Sequence, residues 1–105
     1  MKTFKTEIEW TFLPIKPKID DWVIVAKGDR EKMQIVALCE NNYSGVRRFY
    51  VEILWFNELE DYFYYLDNEG DEEMIFDVVA WVYYKDFVDT TKAAFTNALD
   101  HTVIT

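Results

Sequence analysis

The stretch VRRFYVEILWF, residues 46–56, decides the fold. Side chains alternate across a strand, which puts Phe49, Val51, Ile53 and Trp55 on one side and Tyr50, Glu52, Leu54 and Phe56 on the other. A strand with one wet face carries its apolar residues on the other side only. Two apolar faces mark a strand in the interior of a sheet, or one partly covered on both sides.

The flanking segments supply its partners. Residues 3–13 alternate, with Phe4, Ile8, Trp10 and Phe12 on one face, and stop at Pro14. The run Pro14-Ile15-Lys16-Pro17 lacks two backbone donors and reads as an extended connection. Trp22 to Ala26 is β-branched, Lys27-Gly28-Asp29-Arg30 is a polar turn, and Met33 to Glu40 returns, which predicts a hairpin. A loop around Asn41-Asn42-Tyr43-Ser44-Gly45 leads into the central strand. Beyond it come a short aromatic strand at Tyr62 to Leu66, a tight turn at Asp67-Asn68-Glu69-Gly70, and a return strand from Met74 to Tyr84.

After Lys85 the period changes. Val88, Thr91, Phe95, Ala98 and Leu99 recur at intervals of three and four, predicting a helix over about residues 87–100. Asp86 is placed to cap it, Asp89 lies near the positive end of its dipole, and the stripe should pack against the sheet. The expected architecture is α+β: a single domain over residues 1–105, with a curved antiparallel sheet of about six strands within residues 3–84 and one C-terminal helix.

Composition supports a folded chain. Half of the 105 residues are hydrophobic and 18 % are aromatic, with only three Gly and two Pro, which outweighs a net charge of −9. The one cysteine, Cys39, has no intrachain partner and sits in the apolar run IVALC, where a buried thiol is expected. No apolar run approaches the roughly 18 residues of a membrane span, and no h-region follows the N-terminus, so a cytoplasmic protein is expected. The sequon Asn42-Tyr43-Ser44 is accidental in such a chain.

A resemblance rests on four short motifs. Trp10 with Leu13-Pro14, then Trp22-Val23-Ile24-Val25, Ile35-Val36-Ala37 and Val78-Val79-Ala80-Trp81 resemble a family of small domains encoded mainly by bacteriophages and prophages. The likeness covers about residues 10–84. In that family the closing Trp is followed by Leu-Pro; here Trp81 precedes Val82-Tyr83-Tyr84-Lys85, and no His comes before it. The resemblance implies a phage-type origin, and in that case a host cytoplasm. It carries over no functional residue, because the family has no established activity.

Catalytic signatures are lacking. His101 is the sole histidine, close to the C-terminus beside Asp100, where a solvated residue or a cation at a helix end is the ordinary role. A Cys39-His101 pair is disfavoured by the apolar setting of Cys39, which opposes the thiolate. Gly28, Gly45 and Gly70 stand in three separate turns and make no phosphate loop. No catalytic residue and no cofactor are expected. Asp67, Glu69, Asp71 and Glu73 alternate as hard oxygen ligands would for calcium or magnesium, yet Glu72 occupies the sixth position, where a calcium loop needs Gly; a solvated hairpin tip is the plainer reading.

The charge is segregated. Residues 1–48 balance at +2 and residues 49–105 at −11, and nine carboxylates between Asn57 and Tyr84 have no cation within that stretch. Such a surface repels nucleic acid, and it either attracts a basic protein or simply keeps the chain soluble. Tyrosines among the carboxylates add contact area and rings for cation–π contact. The candidate partner-binding set is therefore Glu60, Asp61, Tyr62, Tyr64, Asp67, Glu69, Asp71, Glu72 and Glu73. Along residues 62–65 one alternate pair should fill the core while the other lies on the surface. The leading expectation is a non-enzymatic phage-type protein that covers a basic host surface, such as that of a nucleic-acid-binding enzyme or defence nuclease, by charge mimicry. Alternatives are a small ligand- or divalent-cation-binding module built on the acidic hairpin, and a hydrolase using Cys39 or a carboxylate pair. An exposed aromatic edge also allows a homodimer.

Overall fold

A computed structural model describes residues 2–18 and 32–104. Six strands and one helix follow in order: β1 (Thr11–Phe12), β2 (Lys32–Tyr43), β3 (Val46–Asn57), β4 (Tyr62–Leu66), β5 (Glu72–Ile75), β6 (Val78–Tyr83) and α1 (Tyr84–Ile104). The strands form one antiparallel sheet in the order β1-β6-β2-β3-β4-β5. This agrees with the expected six-stranded antiparallel sheet and C-terminal helix. The expected strand at Trp22 to Ala26 and its turn at Lys27 to Arg30 lie outside the described residues.

The strand at 46–56 is interior, between β2 and β4, as its two apolar faces required. Leu54 and Phe56 are buried, and they join Ile35, Ala37, Cys39, Phe63, Val78 and Trp81 in the core on one face of the sheet. Its other face is covered only in part: Phe49, Val51 and Ile53 remain more than half exposed. The reason is reach. β4 pairs only with Trp55 to Asn57, and β6 reaches β2 no further than Cys39, so among the described residues the far end of the β2–β3 hairpin has no flanking strand.

Four expectations need correction. Residues 3–13 do not form a strand: only Thr11 and Phe12 pair with β6, and Phe4 instead meets Phe95 of α1 edge-on, 5.7 Å between centroids. The loop at 41–45 shrinks to Ser44-Gly45, because Asn41, Asn42 and Tyr43 stay in register with Arg48, Arg47 and Val46; both turn residues take positive φ (55° and 76°), which fits a two-residue hairpin turn. The return strand 74–84 is two strands, β5 on β4 and β6 on β2, separated by Phe76-Asp77. At that break the Asp77 carbonyl accepts from Glu40 N at 2.9 Å, and its carboxylate accepts from the Tyr50 hydroxyl at 3.0 Å. Finally, α1 starts at Tyr84, directly after β6, so Asp86 lies in its first turn rather than capping it. The helix meets β2 and β6, but Val88, Phe95 and Leu99 of the expected stripe stay exposed.

The segment from Leu13 to Pro17 lies against the core. Leu13 and Pro14 are joined by a cis peptide bond, Leu13 N donates to Val79 O at 3.2 Å, and Pro17 is fully buried. Trp81 Nε1 donates to the Ile15 carbonyl at 2.8 Å, which satisfies the one polar atom of a buried indole. No helix among the described residues is long and apolar enough to cross a membrane.

Candidate functional site

The nine candidate residues fall on the turn between β3 and β4 and on the β4–β5 hairpin, with β5 an edge strand. They share one region, yet they do not share one role. The structure divides them into carboxylates that build the turns, carboxylates that are neutralised, and carboxylates left free.

Asp67 is a builder. Its Oδ1 accepts from the backbone amides of Glu69 and Asp71, each at 2.9 Å, while its own amide donates to Asp71 O and its carbonyl accepts from Gly70 N. A short side chain bonding two amides ahead closes the turn from within, and Gly70 at φ 84° completes the reversal. Asp67 therefore does not belong to a docking surface. Asp61 is neutralised: at φ 60° in the β3–β4 turn, it receives Lys16 Nζ at 2.6 Å, a cation 45 residues away in sequence. The Glu72 carboxylate accepts a hydrogen bond from the Tyr62 hydroxyl, and it holds the Tyr62 phenol above its ordinary ionisation range.

Glu60, Glu69, Asp71 and Glu73 differ. Each is exposed, and none of the four carboxylates makes an ion pair or hydrogen bond among the described residues. They form the free negative rim of the edge.

The aromatic run 62–65 corrects the alternation argument. Phe63 (5 % exposed) and Tyr64 (0 %) are both buried although they point to opposite faces, while Tyr65 is 40 % exposed and Tyr62 half-buried. Both faces are covered at the centre of β4, and cover is lost towards its C-terminal end. Tyr64, with its ring 5.5 Å from that of Tyr62, is a core residue and is removed from the docking set. The exposed apolar surface beside the free carboxylates comes from residues not singled out by sequence: Tyr65, Leu66, Met74 and Phe76, the last 82 % exposed. Their apolar character was visible; their exposure at the ends of β4 and β5 was not. A hollow of about 210 Å³ lies between Glu60 to Phe63, Met74 to Phe76 and the Leu13–Lys16 segment.

Among the described residues no group of three or more carboxylate, thiol or imidazole side chains is arranged to hold a metal ion. In the acidic hairpin the physical reason is Asp67, whose oxygen is turned to backbone amides. Cys39 is fully buried, and burial, with the Glu52 and Asp77 carboxylates nearby, pushes its thiol up to about 11 against a partial offset from the Tyr50 hydroxyl. A neutral, inaccessible thiol is a poor nucleophile. The His101 side chain lies outside the described ones. Comparison of the chain with protein-family models, with curated proteins and with solved structures finds no match.

Proposed function

We propose that this chain is a non-enzymatic accessory protein of phage type whose β4–β5 edge covers a basic surface on a host protein in the host cytoplasm. Nucleic-acid-binding enzymes, defence nucleases among them, carry such surfaces because phosphate recognition needs Lys and Arg. The mechanism is occlusion: carboxylates take the place of phosphates, and exposed rings and thioether supply apolar contact beneath the charge. The observation that carries this reading is the set Glu60, Glu69, Asp71 and Glu73, free of ion pairs among the described residues and flanked by exposed Tyr65, Leu66, Met74 and Phe76.

We read the whole chain as one domain with a strongly curved sheet. β5 and β6 are four strand spacings apart in the sheet order, about 19 Å if the sheet were flat. Ile75 and Val78 are three residues apart, which spans about 11 Å at most. Curling the sheet brings the two within reach, and it turns the acidic hairpin outward.

The test is capture from a bacterial lysate by wild-type protein and by the reversal variant E69K/D71K/E73K in parallel. Charge mimicry requires a captured protein that binds nucleic acid, is lost in the variant, and is released as salt is raised. Capture that is indifferent to the three reversals would sink the reading.

A further inference from the structure

A cleft of about 450 Å³ opens at the opposite edge of the sheet from the acidic hairpin. It arises ahead of β1, on the N-terminal side of Thr11. Residues 7–10 leave the ladder, while β6 runs on to Tyr83 and passes straight into α1, so the diverging segments enclose a wedge. The walls are Glu7 to Thr11 on one side, Trp81 to Tyr83 as the floor, and Asp86, Asp89 and Thr90 of α1 on the other.

Two features of the lining point to one ligand chemistry. The aromatic rings Trp10, Trp81 and Tyr83 form part of it, and the latter two have their polar atoms committed elsewhere: Trp81 Nε1 to Ile15 O, and the Tyr83 hydroxyl to the backbone of Lys18. Trp81 is buried and closes the floor, so the ring surface open to the cleft is that of the half-buried Trp10 and Tyr83. Four carboxylates also line it, from two facing elements, and among the described residues no Lys or Arg does. Lys85 reaches Asp89 at 2.6 Å, with both side chains half-exposed, a pairing weak enough to exchange. The helix N-terminus adds about half a positive charge, which Asp86 and Asp89 together outweigh.

The carboxylates are too dispersed to converge on a metal ion, since no metal-holding group occurs among the described residues. Asp86 and Asp89 share one helix face, and Glu7 and Glu9 stand across the cleft from them. Separated anions with aromatic surface between them suit separated cations joined by methylenes. We propose that this cleft binds a linear aliphatic polyamine, with its ammonium groups against the Glu7/Glu9 and Asp86/Asp89 pairs and its methylenes along Trp10 and Tyr83. The site is independent of the docking edge proposed above.

Spermidine is the probe, titrated calorimetrically into the full chain at low ionic strength. Wild-type protein should bind with one saturable site. The variant E7Q/E9Q, altered in a segment outside helix and sheet and therefore safe for folding, should bind at least about tenfold more weakly, and W10A about three- to fivefold more weakly. The control E69Q/D71N/E73Q, which removes more charge at the other edge, should change affinity by less than about threefold. Magnesium chloride at the spermidine concentration should not displace the ligand. Absence of saturable binding, unchanged affinity in E7Q/E9Q, or an equal loss in the hairpin control would each overturn the proposal, the last by showing diffuse attraction to a negative protein.

Discussion

Asp67 and Glu69 look alike in sequence, and only the backbone around them separates their roles. The Oδ1 of Asp67 is taken by two amides of its own turn, while Glu69 faces solvent. Replacing Asp67 with Ala should destabilise the fold by about 1–2 kcal/mol in urea denaturation, through loss of bonds to a charged acceptor, and Asn should recover part of it. A similar division holds for the tyrosines. Tyr64→Ala should cost about 3–5 kcal/mol through the cavity it leaves, and Tyr65→Ala less than about 1 kcal/mol; near-equal costs would contradict their assignment to core and surface. Cys39 adds a pH signature. Its thiol ionises near 9.0 when unperturbed and near 11 in the fold, so the folded chain holds the extra proton between those values. The stabilisation is complete below pH 9 and is lost as pH rises towards 11. Comparing wild type with C39A across that window should show a steeper loss in wild type. Of these three residues sequence disclosed one: the apolar run around Cys39 foretold its burial, whereas β4 covered on both sides hid the fate of Tyr64.

Among the elements, the β2–β3 hairpin was legible in its strands and misread in its turn. Asn41-Asn42 have loop composition, but a ladder that continues to Tyr43↔Val46 outweighs that preference. The turn itself obeys local chemistry: Ser44 and Gly45 both sit at positive φ, and Asn is better suited than Ser to the first position. Ser44→Asn should therefore raise stability by a few tenths of a kcal/mol. Gly45→Ala should lower it by about 1–2 kcal/mol, a backbone cost alone since nothing lies within 4 Å of an added Cβ. The break between β5 and β6 was not legible. The residues from Met74 to Tyr84 are apolar apart from Asp77, and periodicity records which face a residue takes without recording which strand it pairs with. The same limit explains the N-terminal segment, whose alternation serves Phe4 against α1 and Trp10 in the cleft wall rather than a six-stranded ladder.

At the scale of the whole molecule, charge was the clearest signal in the sequence, and folding refines it. The fold spends Asp61 on Lys16 and Asp67 on its own turn, and it ties Glu72 to Tyr62 and Asp77 to Tyr50. What remains outward is the rim of Glu60, Glu69, Asp71 and Glu73 beside exposed apolar side chains, a composition that recognises a basic protein surface. If the chain is one domain, calorimetry should show one transition whose calorimetric and van't Hoff enthalpies agree. The account's central claim is that this rim stands in for phosphate, and competition tests it most directly. A host protein captured at low salt should be released by added duplex DNA and should fail to bind E69K/D71K/E73K, while W10A, changed at the far edge, captures it as wild type does. A captured protein that stays bound under excess duplex DNA, or that binds the triple reversal undiminished, contradicts the claim.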